Sequence, residues 1–236
     1  MNERQSRLLA AIIDEFIATA VPVGSKQIVE CGRFSVSGAT IRNEMGTLSD
    51  EGFLSQPHTS AGRVPTEQGY QMYVRECLEP SQQEQIVRKK FASLKEQYFE
   101  RKDQESVHEA VALLTHMIPN VAFATVPHKD RVFYLGLGNA LKQPEFQSDP
   151  LLASGIAEVL EGDLASALKG LEIDEEVRYY IGEQNVMEQI HSCSMMVTSY
   201  KVRGAEGVIG VLGPMRMDYR YNTVALELIS DLLRSE

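Results

Sequence analysis

The spacing of apolar residues divides the first 78 positions into a series of helices. Between positions 3 and 20 apolar side chains recur along one side of a helix: Leu8, Leu9, Ile12, Ile13, Phe16 and Ile17. This pattern predicts an amphipathic helix with a wide apolar face. Pro22 and Gly24 are expected to end it, and Ser25 to cap a short helix over 26–31.

A third helix is predicted from about 38 to 51, with Ser37 as its N-cap. Gly52 suits the left-handed residue that ends a helix, after which Phe53 packs back. Two short strand-like fragments then flank a polar loop over 56–63, and Thr66 is expected to cap a fourth helix.

Two apolar stripes at helical spacing follow Pro80. The first consists of Val87, Phe91, Leu94 and Tyr98, and the second of Val107, Val111, Leu114 and Ile118. The polar run 100–106 separates them. Each stripe is about two heptads long, which favours a helical hairpin or a bent linker helix over a long coiled coil.

After Pro119 the pattern changes to short, apolar, β-branched runs that predict strands. These runs are "NVAFATV", "RVFYLGL", "VRYYIG", "CSMMVTSYKV" and "GVIGVLG". Helices are predicted between and after them, at about 150–161, 163–171 and 219–234. The order predicts an α+β domain over residues 119–236.

The third helix has the composition of a surface that meets another molecule. Ile41, Met45 and Leu48 share one face of its helical wheel. The opposite face and its border carry Ala39, Thr40, Arg42, Asn43 and Gly46. An ordinary solvated helix face is the alternative. These small side chains allow close approach, and Asn and Arg can hydrogen-bond base edges in the major groove.

The order of three helices followed by a β-loop is that of a winged helix-turn-helix, in which the third helix enters the major groove. The wing would be formed by His58, Thr59, Ser60 and Arg63, with Arg63 supplying a permanent charge for a phosphate or a narrow minor groove. An ordinary hairpin tip is the alternative. Ser37 completes the predicted DNA-contacting set.

Charge is distributed unevenly along the chain. The net charge of the 236 residues is −10, yet positions 1–75 hold seven Lys and Arg against eight Asp and Glu, so the acidity lies in the C-terminal two-thirds. Three widely spaced cysteines predict reduced thiols. No signal peptide or membrane-spanning run is expected.

Signals of catalysis are weak. The segments "LGLGNAL" and "GVIGVLG" lack the GxGxxG spacing and are expected to be tight turns and strand rather than a phosphate cradle. His191 and Cys193 have no second pair of metal ligands at a useful spacing. We therefore predict a protein that is not an enzyme and needs no metal or organic cofactor.

The chain resembles the family of heat-inducible transcription repressors called HrcA. The resemblance lies in "PVGSKQIVE" and "SGATIRNEMGTLSDEGFLSQPHTSAGRVPTEQGYQMYV", and returns in "LGLGNALKQPEF" and "GVIGVLGPMRMDYRYNTVALELISDLL". It implies a winged helix, a GAF-like domain and an inserted dimerising domain. It also implies repression of heat-shock genes by a dimer on an inverted repeat called CIRCE, with the chaperonin GroEL keeping the repressor active.

This chain is shorter than typical members of that family. The segment "NVAFATVPHKD" leads almost at once into "RVFYLGLGNALKQPEF". The inserted dimerising segment and part of the GAF-like sheet are therefore expected to be missing. In "GPMRMDY", Asp218 is expected to cap the last helix, and Arg216 to pair with Asp218 or another carboxylate.

These observations predict an α+β protein in three parts. Residues 1–78 form a winged helix-turn-helix DNA-binding domain, 79–118 a helical linker, and 119–236 a GAF-like α+β domain that is truncated relative to the family. The expected function is repression of heat-shock chaperone operons in a bacterial cytoplasm, with double-stranded DNA, a second copy of the chain and GroEL as partners and no membrane.

The alternative function is a ligand-sensing regulator. In that reading the GAF-like domain binds a small molecule in a pocket formed by Tyr179, Tyr180, Met195 and Met196. Ordinary core packing is the competing interpretation of these four residues.

Overall fold

The chain divides into two units, Met1–Leu78 and Glu79–Glu236. The computed structural model describes residues 1–78, 83–99, 106–126, 132–162, 164–202 and 205–234. The predicted polar break at 100–106 lies outside the described residues except for Ser106, as does the side chain of Tyr98.

The first unit alternates helices with one small sheet. Its elements are α1 (Glu3–Thr19), α2 (Ser25–Glu30), α3 (Gly38–Asp50), β1 (Leu54–Ser55), β2 (Val64–Pro65) and α4 (Glu67–Glu76). Strands β1 and β2 pair antiparallel, with Leu54 opposite Pro65. This is the order predicted for a winged helix-turn-helix.

Local sequence explains where these helices begin and end. The Ser37 hydroxyl accepts a hydrogen bond from Thr40 N at 3.2 Å, and the Thr66 hydroxyl accepts one from Gly69 N at 3.1 Å, so both predicted caps are confirmed. Gly52 has φ 84°, the left-handed conformation expected after α3. Phe53 is buried.

One predicted cap is wrong. Ser25 is the first residue of α2, and Gly24 precedes it as the N-cap. The Gln27 side chain accepts a hydrogen bond from Gly24 N at 2.6 Å and closes the start of the helix. The Gln27 side chain therefore satisfies the N–H of the N-cap residue, which is the reciprocal half of a capping box, and the Ser25 hydroxyl is left for other contacts.

The second unit surrounds an antiparallel sheet with helices. Its helices are α5 (Glu84–Phe99), α6 (Ser106–Met117), α7 (Leu137–Ala140), α8 (Pro144–Ser148), α9 (Pro150–Glu161), α10 (Leu164–Lys169) and α11 (Tyr219–Arg234). Its strands are β3 (Val121–Thr125), β4 (Val132–Leu135), β5 (Arg178–Ile181), β6 (Cys193–Val202) and β7 (Ala205–Pro214). Short 3-10 helices lie at Gly182–Gln184 and Glu188–Ile190.

The strands of this sheet lie in the order β4-β3-β7-β6-β5, and every neighbouring pair is antiparallel. Helices α6 and α11 pack on the sheet, and α5 packs on both of them. The core that contains Phe123, Met195 and Val197 includes side chains from α8, α9 and α10. The α+β fold class is confirmed.

The helices predicted as a linker belong to the second unit. Val87 of α5 and Val107, Val111 and Leu114 of α6 are buried. Lys90 Nζ of α5 donates a hydrogen bond to Met117 O at 2.7 Å. The structure thus differs from the expectation for 79–118, because α5 and α6 pack on each other and on α11 within the second unit.

The described sheet is continuous from edge to edge. Strands β3 and β4 pair directly, from Ala122 opposite Leu135 to Thr125 opposite Val132. The two strands that flank the predicted deletion are thus hydrogen-bonded neighbours, and the loss of part of the family's sheet stays a prediction.

The two glycine-containing segments have structural roles. Gly136 has φ 89°, and a Cβ there would lie 2.6 Å from Asn120 O, so "LGLGNAL" makes a tight turn at this point. Segment "GVIGVLG" lies within β7. The first segment runs from β4 through Gly136 into the four-residue helix α7, but it lacks the GxGxxG spacing of a phosphate cradle.

The predicted contacts of "GPMRMDY" are also present. Asp218 Oδ1 accepts a hydrogen bond from Tyr221 N at 3.0 Å and caps α11. Arg216 Nε contacts Glu145 Oε1 at 2.6 Å, so its carboxylate partner comes from α8. The two segments that carried the family resemblance in this unit are therefore joined by an ion pair.

Candidate nucleic-acid interface

Helix α3 buries one face and exposes the other, as predicted. Ile41 and Leu48 are fully buried and Met45 is nearly so. On the opposite side Ala39, Arg42 and Asn43 are exposed. Thr40 and Gly46 are half-buried, and a Cβ built on Gly46 would meet nothing within 4 Å. The outer face is thus open to a large flat partner.

An ion pair within the unit holds α3 on its scaffold. Glu44 is 8% exposed on the inner side of the helix and forms a salt bridge with Arg4 of α1. A buried carboxylate needs such a partner, because removing an unpaired charge from water is costly. The helical wheel alone did not single out Glu44, since its partner lies 40 positions away.

Ser37 and Thr40 position the beginning of α3. Their hydroxyl oxygens are 3.0 Å apart, and the Ser37 hydroxyl also accepts the Thr40 N–H. These contacts hold the first turn of the helix. Of the predicted set, these two side chains therefore have a local structural role in addition to any contact with DNA.

The wing is organised by a side chain that sequence reasoning did not include. Gln56 Nε2 donates to Thr59 O at 3.0 Å and to Ala61 O at 2.9 Å. His58 O accepts Ala61 N at 2.9 Å. These bonds close the loop into a turn and leave the side chains of His58 and Thr59 exposed.

The base of the wing is joined to the turn before α2. Val23 N donates to Arg63 O at 2.9 Å, and Arg63 N donates to Val23 O at 2.8 Å. A Cβ on Gly62 would lie 2.5–2.6 Å from backbone atoms of Pro22 and Val23. Glycine is needed here because two backbones approach each other closely.

Arg63 does not lie at the tip of the wing. Its side chain is half-buried at the base, and its Nε is shielded from solvent without a hydrogen-bond partner among the described residues. Arg63 thus lies at the base of the loop, whereas His58 and Thr59 lie in the turn that Gln56 closes.

A cleft of about 360 Å³ opens between α2, α3 and the wing. Lys26, Arg42 and Arg63 line it, and none of its twelve described lining residues is Asp or Glu. Arg42 Nη2 lies 3.5 Å from Ser25 Oγ. Sequence reasoning missed Lys26, which no local pattern connects with positions 42 and 63.

The four residues proposed for a ligand pocket do not line a single cavity. Tyr179 is paired with Met196 and Tyr180 with Met195, so the two pairs point to opposite faces of the sheet. Met195 and Tyr180 belong to the core beneath α9 and α10. Tyr179 OH instead bonds Thr223 of α11 at 2.8 Å. Their arrangement is that of core packing.

Within the described part of the chain there is no group of three His, Cys, Asp or Glu residues arranged to hold a metal ion. His191 Nε2 contacts Asn185 O at 3.1 Å, and Cys193 is buried. No helix of the described residues combines the length and apolar character needed to cross a membrane.

Comparison with known proteins finds a family and many relatives. A family model described as the HrcA protein C terminal domain matches residues 71–222. A heat-inducible transcription repressor HrcA of Desulforudis audaxviator is 28% identical, covering 98% of this chain and 96% of that protein. The repressor of the same name from Gloeobacter violaceus is 38% identical over 152 residues, covering 60% of this chain and 41% of that protein.

The alignment with the Desulforudis audaxviator protein also shows a difference in length. It extends over 331 positions, whereas this chain has 236 residues, so at least 95 positions face a gap in this chain. The gap is internal, because nearly all of both proteins is covered.

A crystal structure of a hypothetical protein at 2.2 Å resolution has the same fold, with a TM-score of 0.77 at 16% identity, over 100% of this chain and 98% of that one.

Proposed function

Because the chain belongs to the HrcA family, we propose that α3 docks in the major groove of an operator and thereby represses heat-shock chaperone genes. The relatives that align with nearly the whole length of this chain are named heat-inducible transcription repressors. The observation that supports the docking mode is the outer face of α3. That face is exposed and carries mostly small side chains, and the Arg4–Glu44 salt bridge anchors the helix on its inner side.

The proposed roles of the side chains follow from their positions. Asn43 is exposed on the outer face and can donate to and accept from an adenine edge. Ala39, Thr40 and Gly46 allow the helix to approach the bases, and Ser37 sets the first turn. His58 and Thr59, exposed on the wing, contact the backbone or the minor groove.

We propose that two copies of the chain bind an inverted repeat of the CIRCE type. One winged helix takes each half-site, so the two-fold symmetry of the protein matches that of the operator. The chaperonin GroEL is the proposed second partner, acting in the bacterial cytoplasm. Its test is the operator affinity of the purified chain with and without added GroEL, and an unchanged affinity would remove this partner.

The experiment that tests the proposed function is a deletion strain. Transcripts of the chaperonin operon should rise at the normal growth temperature, without any added ligand, because the repressor is gone. The wild-type gene and an Arg75→Gln variant, changed away from the proposed interface, should both restore repression. Transcript levels that stay at the wild-type value in the deletion strain would exclude this function.

A further inference from the structure

Three cations from separate parts of the first unit converge on one cleft. Lys26 comes from the first turn of α2, Arg42 from the outer side of α3 and Arg63 from the base of the wing. The two hydrogen bonds between Val23 and Arg63 fix the wing against α2, and Gly62 permits that approach. The cleft is thus built by the folded backbone rather than by mobile side chains alone.

The chemistry of this cleft suits a single oxyanion. Its described lining adds three positive charges and no carboxylate, together with the Ser25 hydroxyl beside Arg42. Arg63 Nε has no hydrogen-bond partner among the described residues. Guanidinium and ammonium groups are the side chains that proteins use to bind phosphate, with charge-assisted hydrogen bonds.

We propose that this cleft holds one phosphodiester group of the DNA backbone in each half-site, bound jointly by Lys26, Arg42 and Arg63. The inference rests on the proposed function, since the phosphate belongs to the operator that α3 reads. It divides the outer face of α3 between two tasks. Arg42 binds the backbone and sets the position of the helix, whereas Asn43 is left to read bases.

The arrangement makes a prediction that ordinary phosphate contacts do not make. If the three cations contacted three different phosphates, removing each one would lower the salt dependence of binding independently, whereas with one shared phosphate these reductions would not add. Removal of the second cation should then cost less than removal of the first, because both act on the same group.

The test combines charge removal in the protein with charge removal in the DNA. Operator duplexes carry one neutral methylphosphonate per half-site, moved along the backbone position by position. Each is titrated with the full-length wild-type chain and with Lys26→Gln, Arg42→Gln and Arg63→Gln. We expect one backbone position at which neutralising the phosphate weakens wild-type binding about tenfold or more. At that position the same neutralisation should weaken binding much less in each of the three variants.

Two further variants control the measurement. Arg75→Gln removes a positive charge from α4, outside the cleft, and should keep the full loss at that position. Arg42→Lys keeps the positive charge, so neutralising the phosphate at that position should still cause most of the wild-type loss of binding. Thermal unfolding of every variant establishes that the fold is intact, and for a variant that unfolds, Arg42→Met or Arg63→Met, which removes the charge but keeps an unbranched side chain, is used instead.

The outcomes separate this inference from the proposed function. A wild-type chain that binds operator and scrambled duplexes equally would overturn both. Specific binding in which the three variants respond at different backbone positions, or at none, would overturn the shared phosphate alone. A change in base preference for Arg42→Gln, with its salt dependence unaltered, would return Arg42 to the bases.

One additional arm tests for a free anion in place of DNA. Inorganic phosphate is titrated into the chain without DNA and followed by NMR. No saturable shift of the cleft residues is expected at millimolar phosphate. Saturable binding that is lost in Arg42→Gln, and that competes with operator DNA, would assign the cleft to a soluble phosphorylated molecule and overturn the phosphodiester assignment.

Discussion

At the scale of single residues, Asn43 is the side chain on which sequence recognition is expected to depend. Its side chain is exposed on the outer face of α3 and has both a donor and an acceptor. Asn43→Ala should cost about 1–3 kcal/mol of operator binding and relax the preference at one base pair per half-site. Binding to a panel of single-base operator variants measures this.

The matched control for Asn43 is Ser49→Ala in the same helix. Ser49 is half-buried, and its hydroxyl bonds Met45 O at 2.9 Å, so it lies away from the outer face. This variant should discriminate bases as the wild type does. If Asn43→Ala preserves the wild-type ratio between specific and scrambled duplexes, Asn43 does not read bases.

Asp218 is expected to have a structural role. Its carboxylate accepts Tyr221 N at 3.0 Å at the start of α11, so Asp218→Ala should lower the free energy of unfolding by about 1 kcal/mol. Glu172→Ala, which removes an exposed carboxylate between α10 and β5, is the control. Unchanged melting together with altered repression would instead indicate a partner site at Asp218.

At the scale of elements, replacing either of two glycines of the first unit by alanine is expected to change the stability of the protein, in opposite directions. A Cβ at Gly62 would lie 2.5–2.6 Å from the backbone of Pro22 and Val23, so Gly62→Ala should push the wing off α2. We expect a loss of stability of about 1–3 kcal/mol and weaker DNA binding.

Gly46→Ala is the companion variant. A Cβ there meets nothing within 4 Å, so α3 should gain about 0.5–1 kcal/mol from the better helix former. Operator affinity should nevertheless fall, because the outer face must approach DNA closely. Thermal unfolding and operator titration of both variants measure this, and Gly46→Ala with unchanged affinity would argue against close approach at this turn.

At the scale of the whole molecule, burial of titratable groups in the second unit predicts alkaline instability. Burial raises the pKa of the Cys193 thiol from 9.0 to about 12, with a smaller contribution from Glu145, and raises the pKa of Tyr179 from 10.0 to about 12. The protonated forms therefore stabilise the fold fully below these ordinary values. That stability is lost as the pH rises towards 12.

For Cys193 the expected slope is up to about 1.4 kcal/mol per pH unit above pH 9. Urea unfolding between pH 8.5 and 10.5, followed by circular dichroism, measures it. Cys193→Ala will lower stability at every pH, yet its slope between pH 9 and 10 should be smaller than that of the wild type. An equal slope would show that the thiol does not contribute.

The second unit is expected to supply most of the dimer interface. An inverted-repeat operator requires a two-fold protein, and the outer face of α3 is reserved for DNA. The buried Val87 of α5 packs within its own chain and is not available to pair two α5 helices. A fragment covering 79–236 should therefore sediment as a dimer, and a monomer at tens of micromolar would place the interface in the first unit or on the DNA.

What the sequence determined by itself depends mostly on neighbouring positions, although the cap predicted at Ser25 was wrong. Helical periodicity identified the inner face of α3, and caps such as Ser37 and Thr66 act within one turn. Short apolar runs rich in β-branched residues placed the strands of the second unit. These features could be predicted because a helix cap or a strand face is set by residues a few positions apart.

Only the tertiary structure decided which distant residues meet. Lys26, Arg42 and Arg63 share a cleft because the wing returns to α2 and pairs with Val23. Periodicity likewise predicted helices α5 and α6 but not that they pack within the second unit, α6 on the sheet and α5 on α6 and α11. Tyr179 and Tyr180 were grouped by composition, whereas the strand register sends them to opposite faces. A shift of one residue in register moves a side chain to the other face of the sheet. Long-range backbone contacts follow no local pattern, so neither the register nor these contacts could be predicted from the sequence alone.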